Sequence, residues 1–536
     1  MINENLKKVD DSVQVNLISR WKRINSIITG VFVIAILSVF PIFFHDYYYD
    51  ILVVKYQFYY ISVIVLTAAI VLSTLYYLYM DGKLYNWKHT RKVYCRMSIK
   101  AIRAVDWAMI AFVVFATIST FQSEFFYESF WGNEGRYCGL FLILLYGVSF
   151  FIITRFFRFR QWYLDAFLIA GMSACIIGIL QYFKFDPLGF KTGLSEGDYK
   201  IFSSTFGNIN TYTSYLALVA GVSATLFTTE KVKIRRVLYL VSTIISLMAL
   251  ITGISDNAYL SLIALMGLLP LYLFGDIKGV KNYMFLLAVL ATEFLVIGRV
   301  NQSFPDHVIG IEGLFDLIAG FNGLTFVVIG LWGMAVALLI MDIKRADRAN
   351  KRNNVGRIIW LGVIVIVAVA LIFALYDVNI LKNIERYGAL KSYLRLNDDW
   401  GTHRGYIWRI ALEIYEKFPL HHKIFGHGPD TFGIITVHNY LGEMLSKYYE
   451  KYDSAHNEYI QYLITIGIAG LGAYIALLVC SVKRMINKSK ENPPIMAIVF
   501  ACVCYGVQAS VNISVPIVAP IMMTLLMVGT AKETTK

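Results

Sequence analysis

Apolar runs of about 20 residues recur along the whole chain, and polar segments separate them. The runs are too long and too continuous for the alternating strands of a membrane barrel. The pattern therefore predicts an all-α polytopic membrane protein with about 14 transmembrane helices. Their predicted centres lie near residues 34, 69, 113, 146, 173, 220, 245, 266, 290, 330, 367, 468, 503 and 523. Because most linkers are short, we expect residues 1–536 to form a single membrane domain.

The composition supports this prediction. Hydrophobic residues make up 57% of the chain and charged residues 16%, with a mean hydropathy of +0.59. Soluble proteins have about 45–50% apolar and about 25% charged residues. The first apolar run follows Lys7, Lys8, Arg20, Lys22 and Arg23, is too long for a signal peptide and lacks a clear cleavage site. We therefore expect it to be retained as the first span.

The net charge of +13 is informative through its distribution. Placing the N-terminus in the cytoplasm puts the basic clusters on one side, at 81–104, 155–160, 231–236, 344–357 and 483–490. Cytoplasmic segments of membrane proteins are enriched in lysine and arginine. The charge is thus a topology signal, and no nucleic-acid partner is expected. Both termini are predicted to be cytoplasmic, and the long 377–455 loop extracytoplasmic.

This loop concentrates the polar chemistry of the chain, and six of the nine histidines fall between His403 and His456. Within it, residues 402–418 have apolar side chains at helical spacing, and Pro419 ends the run. The predicted helix is amphipathic, so it either lies on the outer leaflet or caps the bundle. Arg404 and Trp408 share one of its faces, while Arg409 and Glu413 are spaced to form an ion pair.

Two interpretations apply to the polar residues around this loop. His456, Asn457 and Glu458 suit an interfacial helix start, but a histidine there also suits a general base that takes a proton from a sugar hydroxyl. Arg404 and Arg409 suit contacts with lipid phosphates or a clamp on a pyrophosphate. Arg136 is the one basic residue of its predicted outer loop, against the charge bias, which favours a functional role.

Metal and nucleotide chemistry have little support in the sequence. The six cysteines lie in or beside predicted spans, so neither a disulfide framework nor a cysteine-based zinc site is expected. The histidines at 421, 422, 427 and 438 lack accompanying carboxylates or cysteines at ligand spacing. Motifs for nucleotide binding or serine hydrolysis do not occur in a suitable context. We therefore expect no metal and no cofactor.

Several segments resemble the O-antigen ligase and O-antigen polymerase superfamily. The segment 456–471, HNEYIQYLITIGIAGL, is similar to the signature of that family. The Arg-x-x-x-Trp pattern of 404–408 and the glycine turn 425–428 resemble the family's preceding loop motif. Weaker similarities lie upstream, at 131–140, 207–216 and 252–260. The resemblance covers roughly residues 105–530 and is specific over 404–475.

The resemblance implies an inverting, metal-independent glycosyltransferase of GT-C-like architecture in the bacterial plasma membrane. Its donor would be a glycan linked to polyprenyl pyrophosphate, and its acceptor a carbohydrate or a lipid-linked glycan, at the extracytoplasmic face of the bilayer. The expected catalytic residues are His456 and Arg404. The expected substrate-binding residues are Arg136, Trp408, Arg409, Asn457, Glu458, Asn208 and Asn210.

One position departs from the family pattern. Many members carry an arginine where this chain has Asp256, directly after Ser255. A carboxylate there would repel a phosphate, so either Arg136 supplies the charge or the donor differs.

The alternative function is a multispan flippase or secondary transporter of polysaccharide precursors. Transporters place ionisable residues near the middle of the membrane. Here the spans hold few charges, with Glu293 the clearest, so the enzyme is favoured.

Overall fold

The computed structural model describes residues 2–95, 102–133, 135–344 and 353–532, and its regular structure is almost entirely helical. The helices, in chain order, are α1 Ile2–Ile34, α2 Ile51–Tyr85, α3 Lys88–Cys95, α4 Ala104–Phe121, α5 Phe126–Trp131, α6 Leu140–Phe156, α7 Trp162–Tyr182, α8 Glu196–Ile201, α9 Ile209–Thr229, α10 Lys233–Thr252, α11 Asn257–Leu273, α12 Ile277–Ser303, α13 Leu314–Ala319, α14 Leu324–Lys344, α15 Val355–Asn379, α16 Lys391–Leu394, α17 Trp400–Lys417, α18 Leu420–Phe425, α19 Phe432–Tyr448, α20 Glu458–Ser489, α21 Ile495–Gln508 and α22 Ala519–Thr530.

Shorter elements complete this order. A π-helical segment, Ala35–Val39, extends α1, and 3₁₀ turns form at Pro305–His307, Ile384–Leu390 and Ala509–Val511. Two short strands, β1 Phe202–Ser203 and β2 Gly207–Asn208, pair antiparallel just before α9.

All the predicted span centres lie inside helices, which confirms the all-α architecture. Within the described residues, nine helices are long and apolar enough to cross a membrane. Four further apolar helices are shorter: α6, α11, α21 and α22. Helices are therefore present at all of the predicted span positions. The number of them that cross the membrane, about 14 by prediction, remains a prediction.

Helix α9 explains one difference between the two counts. It begins with several polar residues, Asn210 to Ser214, which lower its hydropathy. From Thr211 to Thr228 every residue is buried, and the helix packs against α7, α10, α11 and α21. It is surrounded by protein, so its surface does not have to match lipid.

The bundle has two chemically different ends. At one end Arg103 and Arg484 both donate to the backbone carbonyl of Thr530, where α22 finishes. The opposite end carries the 377–455 loop and the start of α20. The separation of a basic end from the loop end fits the charge pattern, while the membrane face that each end occupies stays a prediction.

The 377–455 loop folds around α17, which confirms the helix predicted at 402–418. Residues 401–403 have positive φ, so the regular helix begins at Arg404. The apolar face of α17 packs against α19 and the start of α20, and so caps the bundle. Its core residues are Tyr406, Ile407, Ile410, Ala411, Ile414, Phe432, Ile435, Met444, Tyr452, Ala455 and Ile464.

Candidate active site

The histidine expected as base lies directly before α20. Asn457 caps this helix, because its side-chain oxygen accepts from the backbone N–H groups of Tyr459 and Ile460 at 3.0 and 3.1 Å. His456 has a φ of 44°, a left-handed conformation that residues other than glycine rarely adopt. Strained backbone of this kind is concentrated at functional sites.

The glycine turn at 425–428 docks against a break in α20. The backbone N–H groups of His427 and Gly428 donate to the carbonyls of Ile464 and Thr465, at 3.1 and 2.9 Å. At the break, Gly467 has a φ of 68°. A Cβ on Gly426 would lie 2.3 Å from the carbonyl of Thr465, so the two backbones can approach this closely only with glycine there.

The end of this turn holds the loop that carries Arg136. The buried Asp430 carboxylate accepts from the backbone N–H groups of Asn133 and Cys138, at 2.7 and 3.0 Å. Burial raises the pKa of Asp430 to about 7, although these two hydrogen bonds oppose the shift. Between these anchors, Arg136 forms a two-pronged ion pair with Asp453. The position of Arg136 is thus set from both sides.

Arg404 is buried at the start of α17. Its guanidinium donates to carbonyl and hydroxyl oxygens, which carry no formal charge, and not to a carboxylate of the described residues. Its Nε donates to the carbonyl of Val511 at 3.0 Å, and Nη1 donates to Thr402 Oγ1 at 3.0 Å and to the Gly401 carbonyl. Burial lowers the pKa of Arg404, and the more distant Asp256 opposes the shift. Within the described part of the chain, Nη2 has no hydrogen-bond partner, which leaves one prong of the guanidinium for a ligand.

Besides burial, the positive charges of Arg404 and Arg136 both lower the pKa of the His456 imidazole. The pKa of His456 is lowered to about 4, first by burial, then by Arg404 and Arg136, with Asp453 opposing. The imidazole is therefore neutral near pH 7 and able to accept a proton. Three residues expected from the sequence, His456, Arg404 and Arg136, thus lie near one another, because Trp408 of the Arg404 helix donates to the Ala455 carbonyl and Arg136 pairs with Asp453.

A polar network forms the neighbouring wall of the site. Asn210 Oδ1 accepts from Ser255 Oγ at 2.7 Å and from Asn257 Nδ2 at 2.9 Å. The Asn210 carbonyl accepts from Asn512 Nδ2 at 2.8 Å. Asn257 Nδ2 also lies 3.4 Å from the Val511 carbonyl, the same oxygen that Arg404 uses. This network links the starts of α9 and α11 to the 509–518 connection between α21 and α22.

The 509–518 connection was not predicted from the sequence. Its signal was a polar interruption, Ser510 and Asn512, between two apolar runs. At about 1.5 Å per residue, α22 with its 12 residues reaches about 18 Å, well short of the hydrocarbon thickness of about 30 Å. A helix this short predicts a turn that lies below the membrane surface, where buried polar groups need protein partners.

Asp256 has a structural partner that the sequence did not indicate. It accepts from the Tyr393 hydroxyl at 2.8 Å, and Trp400 Nε1 donates to the Tyr393 carbonyl at 2.9 Å. Trp400 in turn packs on Trp408, with ring centroids 5.2 Å apart. Asp256 is thus tied to α16 and the base of α17.

The other expected binding residues have partners inside the protein. Trp408 Nε1 donates to the carbonyl of Ala455, next to His456, at 2.9 Å. Glu458 is buried and accepts from the hydroxyls of Tyr474 and Tyr505 at 2.7 and 3.3 Å. Asn208 caps α9 through the Asn210 backbone N–H, much as Asn457 caps α20. These contacts hold the four residues in place at the site, while their role in substrate binding stays a prediction.

Arg409 lies away from this cluster. It forms ion pairs with Asp398, Glu413 and Glu443, at 3.1, 2.7 and 2.8 Å. The predicted pairing with Glu413 is confirmed. All three nitrogens of its guanidinium donate to carboxylates, so a phosphate would have to displace one of them.

The histidines of the loop serve mainly local contacts. His403 Nδ1 lies 2.8 Å from the Tyr452 hydroxyl, and His422 Nδ1 lies 2.8 Å from the Gly426 carbonyl. Across the residues that the structure describes, no group of three or more histidine, cysteine, aspartate or glutamate side chains is arranged to hold a metal ion. Metal independence itself remains a prediction.

Comparison with known proteins gives a match over the part of the chain that carries Arg404 and His456. The family model described as O-antigen ligase (Wzy_C) matches residues 314–475, from α13 into α20. No curated protein matches the chain. The matched segment contains Arg404, the glycine turn and His456. The match confirms the resemblance found in the sequence: residues 314–475 are similar to the O-antigen ligase family, which supports a membrane glycan ligase or polymerase in general.

Proposed function

We propose that the protein is an inverting glycosyltransferase that moves a glycan from a polyprenyl-pyrophosphate carrier to a sugar hydroxyl, at the loop end of the bundle. The observation that carries this proposal is the placement of the two arginines beside His456: Trp408, one helical turn after Arg404, donates to the carbonyl of Ala455, and Arg136 pairs with Asp453. A neutral base beside two guanidinium groups suits a reaction in which a hydroxyl loses its proton while charge develops on a pyrophosphate.

In the proposed step, His456 takes the proton of the acceptor hydroxyl. The oxygen attacks the anomeric carbon of the donor, and the bond from that carbon to the pyrophosphate oxygen breaks. The bonding electrons leave with the polyprenyl pyrophosphate, and the single displacement inverts the anomeric configuration. The imidazolium then returns its proton to water.

Two arginines with different partners would receive the pyrophosphate. Arg404 has a prong without a partner in the described chain, so it can bind a phosphate oxygen while it keeps its contacts to Val511 and Thr402. Arg136 is paired with Asp453, whose side chain is 55% exposed. We propose that Arg404 binds the pyrophosphate first and that Arg136 then exchanges Asp453 for a phosphate oxygen.

Asp256 fits this arrangement without contacting the donor. Because its carboxylate accepts from Tyr393, it is engaged in holding the 377–455 loop. The charge that an arginine supplies at this position in many relatives would here come from Arg404 and Arg136. The acceptor would be a carbohydrate or a second lipid-linked glycan, which corresponds to ligase or polymerase activity.

The direct test uses the purified full-length protein with a lipid-linked repeat unit from its source. We expect release of polyprenyl pyrophosphate together with an extended or transferred glycan, insensitive to chelators. His456→Asn is the matched control, because asparagine tolerates a left-handed φ but cannot act as the base. Movement of the intact donor across vesicles without release would support the transporter alternative and contradict the proposal.

The proposed face of the reaction has its own test. Cysteines at Ser392 or Ser446, both exposed in the loop, should react with an impermeant thiol reagent in whole cells. A cysteine at Lys231, exposed at the basic end, should react after lysis. The opposite pattern would place the site on the cytoplasmic face and contradict the proposal.

A further inference from the structure

The basic end of the bundle contains a crevice that the proposed reaction does not use. It has a volume of about 520 Å³ and lies between α10, α12 and α14, with Phe227 of α9 at its floor. This volume falls within the range of about 300–1,000 Å³ typical of ligand pockets. Helix α10 ends at Thr252, near the candidate active site, so Lys233 at its start lies at the opposite end of the bundle.

The walls of the crevice are apolar and aromatic. Trp332 and Phe285 meet edge to face with ring centroids 5.3 Å apart, and Phe285 lies 5.5 Å from Phe227. Val237 and Val336, on facing helices, are each more than half exposed. In a membrane these side chains would contact hydrocarbon, so the crevice is suited to an acyl chain.

The same crevice has a basic rim. Lys233, Arg236 and Lys281 line it, at the start of α10 and α12. Arg236 is held in place, since its Nη2 donates to Asn282 Oδ1 at 3.0 Å and its guanidinium lies 5.2 Å from the Phe227 ring centre. Lys281 pairs with Asp342, which leaves two positive charges in excess among these residues.

We propose that this crevice binds one anionic phospholipid, with its phosphate at Lys233 and Arg236 and an acyl chain along Phe285 and Trp332. Basic pockets between transmembrane helices bind anionic headgroups. A soluble phosphate would leave the apolar walls unfilled, and a zwitterionic lipid would not balance the excess charge. The combination of walls and rim therefore favours an anionic lipid. This inference does not depend on the proposed transferase activity.

The test exploits the position of Trp332. Phosphatidylglycerol and phosphatidylcholine with brominated acyl chains are titrated into the purified full-length protein in detergent. The Trp332 signal is defined as the part of the tryptophan fluorescence quenching that the wild type shows and Trp332→Phe lacks. We expect phosphatidylglycerol to produce this signal at a markedly lower mole fraction, and Lys233→Gln to weaken it about fivefold, the effect of one basic residue near an anionic headgroup.

Matched variants separate the rim from general charge and from folding. Lys231→Gln removes the same charge at the same end, outside the crevice, and should leave the titration unchanged. Val336→Phe narrows the crevice without a charge change and should weaken both lipids. Arg236 also donates to Asn282, so the lipid titration of Arg236→Gln is compared with that of the wild type only after thermal unfolding shows that the variant is folded.

Three results would overturn the proposal. Equal quenching by the two lipids would remove the headgroup preference. An equal effect of Lys231→Gln and Lys233→Gln would show attraction by overall charge rather than by the crevice. Full competition by inorganic phosphate at the lipid's own concentration would show an anion site without an acyl chain.

Discussion

Two arginines on different faces of α17 are equally suited to phosphate binding in the sequence, but they have different partners in the structure. Arg409 donates to three carboxylates, Asp398, Glu413 and Glu443. Arg404, five residues earlier, is buried against the carbonyl of Val511 and has no carboxylate in direct contact within the described residues. At 3.6 residues per turn, the two side chains lie about 140° apart around the helix.

The difference shows how a buried positive charge can mark a binding site. The charge of Arg409 is already balanced by carboxylates, so a phosphate would gain little free energy by binding to it. The carbonyls around Arg404 satisfy hydrogen bonds but carry no formal charge, so an anion would still gain from binding there. Each prediction below tests this division between a charge kept for substrate and a charge used for structure.

The largest expected effect comes from the proposed base. His456→Ala should lower turnover by about 10²–10⁴, because a general base acts in the transition state. Donor binding should change little, since the neutral imidazole adds no charge to the pyrophosphate site. Turnover and donor affinity are measured separately on the purified variant. Near-full activity in correctly folded His456→Ala would reject the assignment.

Arg404→Ala should come next, with a loss of about 10²–10³ in turnover per donor bound and a weaker affinity as well. The guanidinium would act both on the bound donor and on the leaving pyrophosphate. Arg404→Lys should recover part of the loss, because an ammonium supplies charge without the two-pronged contact. Equal activity of the lysine and arginine forms would show that a point charge is sufficient.

Arg409→Ala should affect stability rather than chemistry. Removing the cation leaves three carboxylates with Lys447, which pairs with Asp398 and Glu443, as a remaining cation, and we expect a loss of about 1–2 kcal/mol, limited by the partial exposure of these groups. Activity of the folded fraction should remain within about threefold of the wild type. Thermal unfolding in detergent and specific activity are compared side by side. A stable but inactive variant would contradict the structural role.

The smallest effect is expected from pH. The His456 imidazole stops accepting protons as pH falls through its pKa of about 4, so kcat/KM should stay flat from pH 6 to 8. A bound pyrophosphate raises the imidazole pKa, so the acid limb of kcat should lie at a higher pH than that of kcat/KM. Initial rates across the pH range test this. A kcat/KM midpoint near 6.5 would indicate an unperturbed histidine.

The positions of the apolar helices and of α17, which depend on the spacing of apolar residues along the chain, were predicted correctly from the sequence. Long apolar runs placed the span centres inside helices, and the spacing from Tyr406 to Ile414 placed α17 within two residues of its start and one residue of its end. Helical spacing and a terminating proline are properties of neighbouring residues. Arg404 and His456 were found instead through their side-chain chemistry and their resemblance to a family motif, which is also a pattern of neighbouring residues.

The rest of the site depends on contacts between distant segments. The oxygen that binds Arg404 belongs to Val511, 107 residues away, and Asp453 faces Arg136 from 317 residues away. Asn208 and Asn457 were expected to bind substrate because they lie in segments that resemble the family, and the structure shows that both side chains cap helices. A local pattern does not distinguish these uses.

A donor-binding titration of Arg404→Ala and Arg409→Ala in parallel, with the same polyprenyl-pyrophosphate-linked glycan, tests whether Arg404 binds substrate and Arg409 does not. We expect Arg404→Ala to weaken binding by about tenfold or more, because a charge-assisted contact is lost. Arg409→Ala should bind like the wild type once corrected for its folded fraction. Equal losses for the two variants, or a larger loss for Arg409→Ala, would contradict the division of α17 into a substrate face and a structural face.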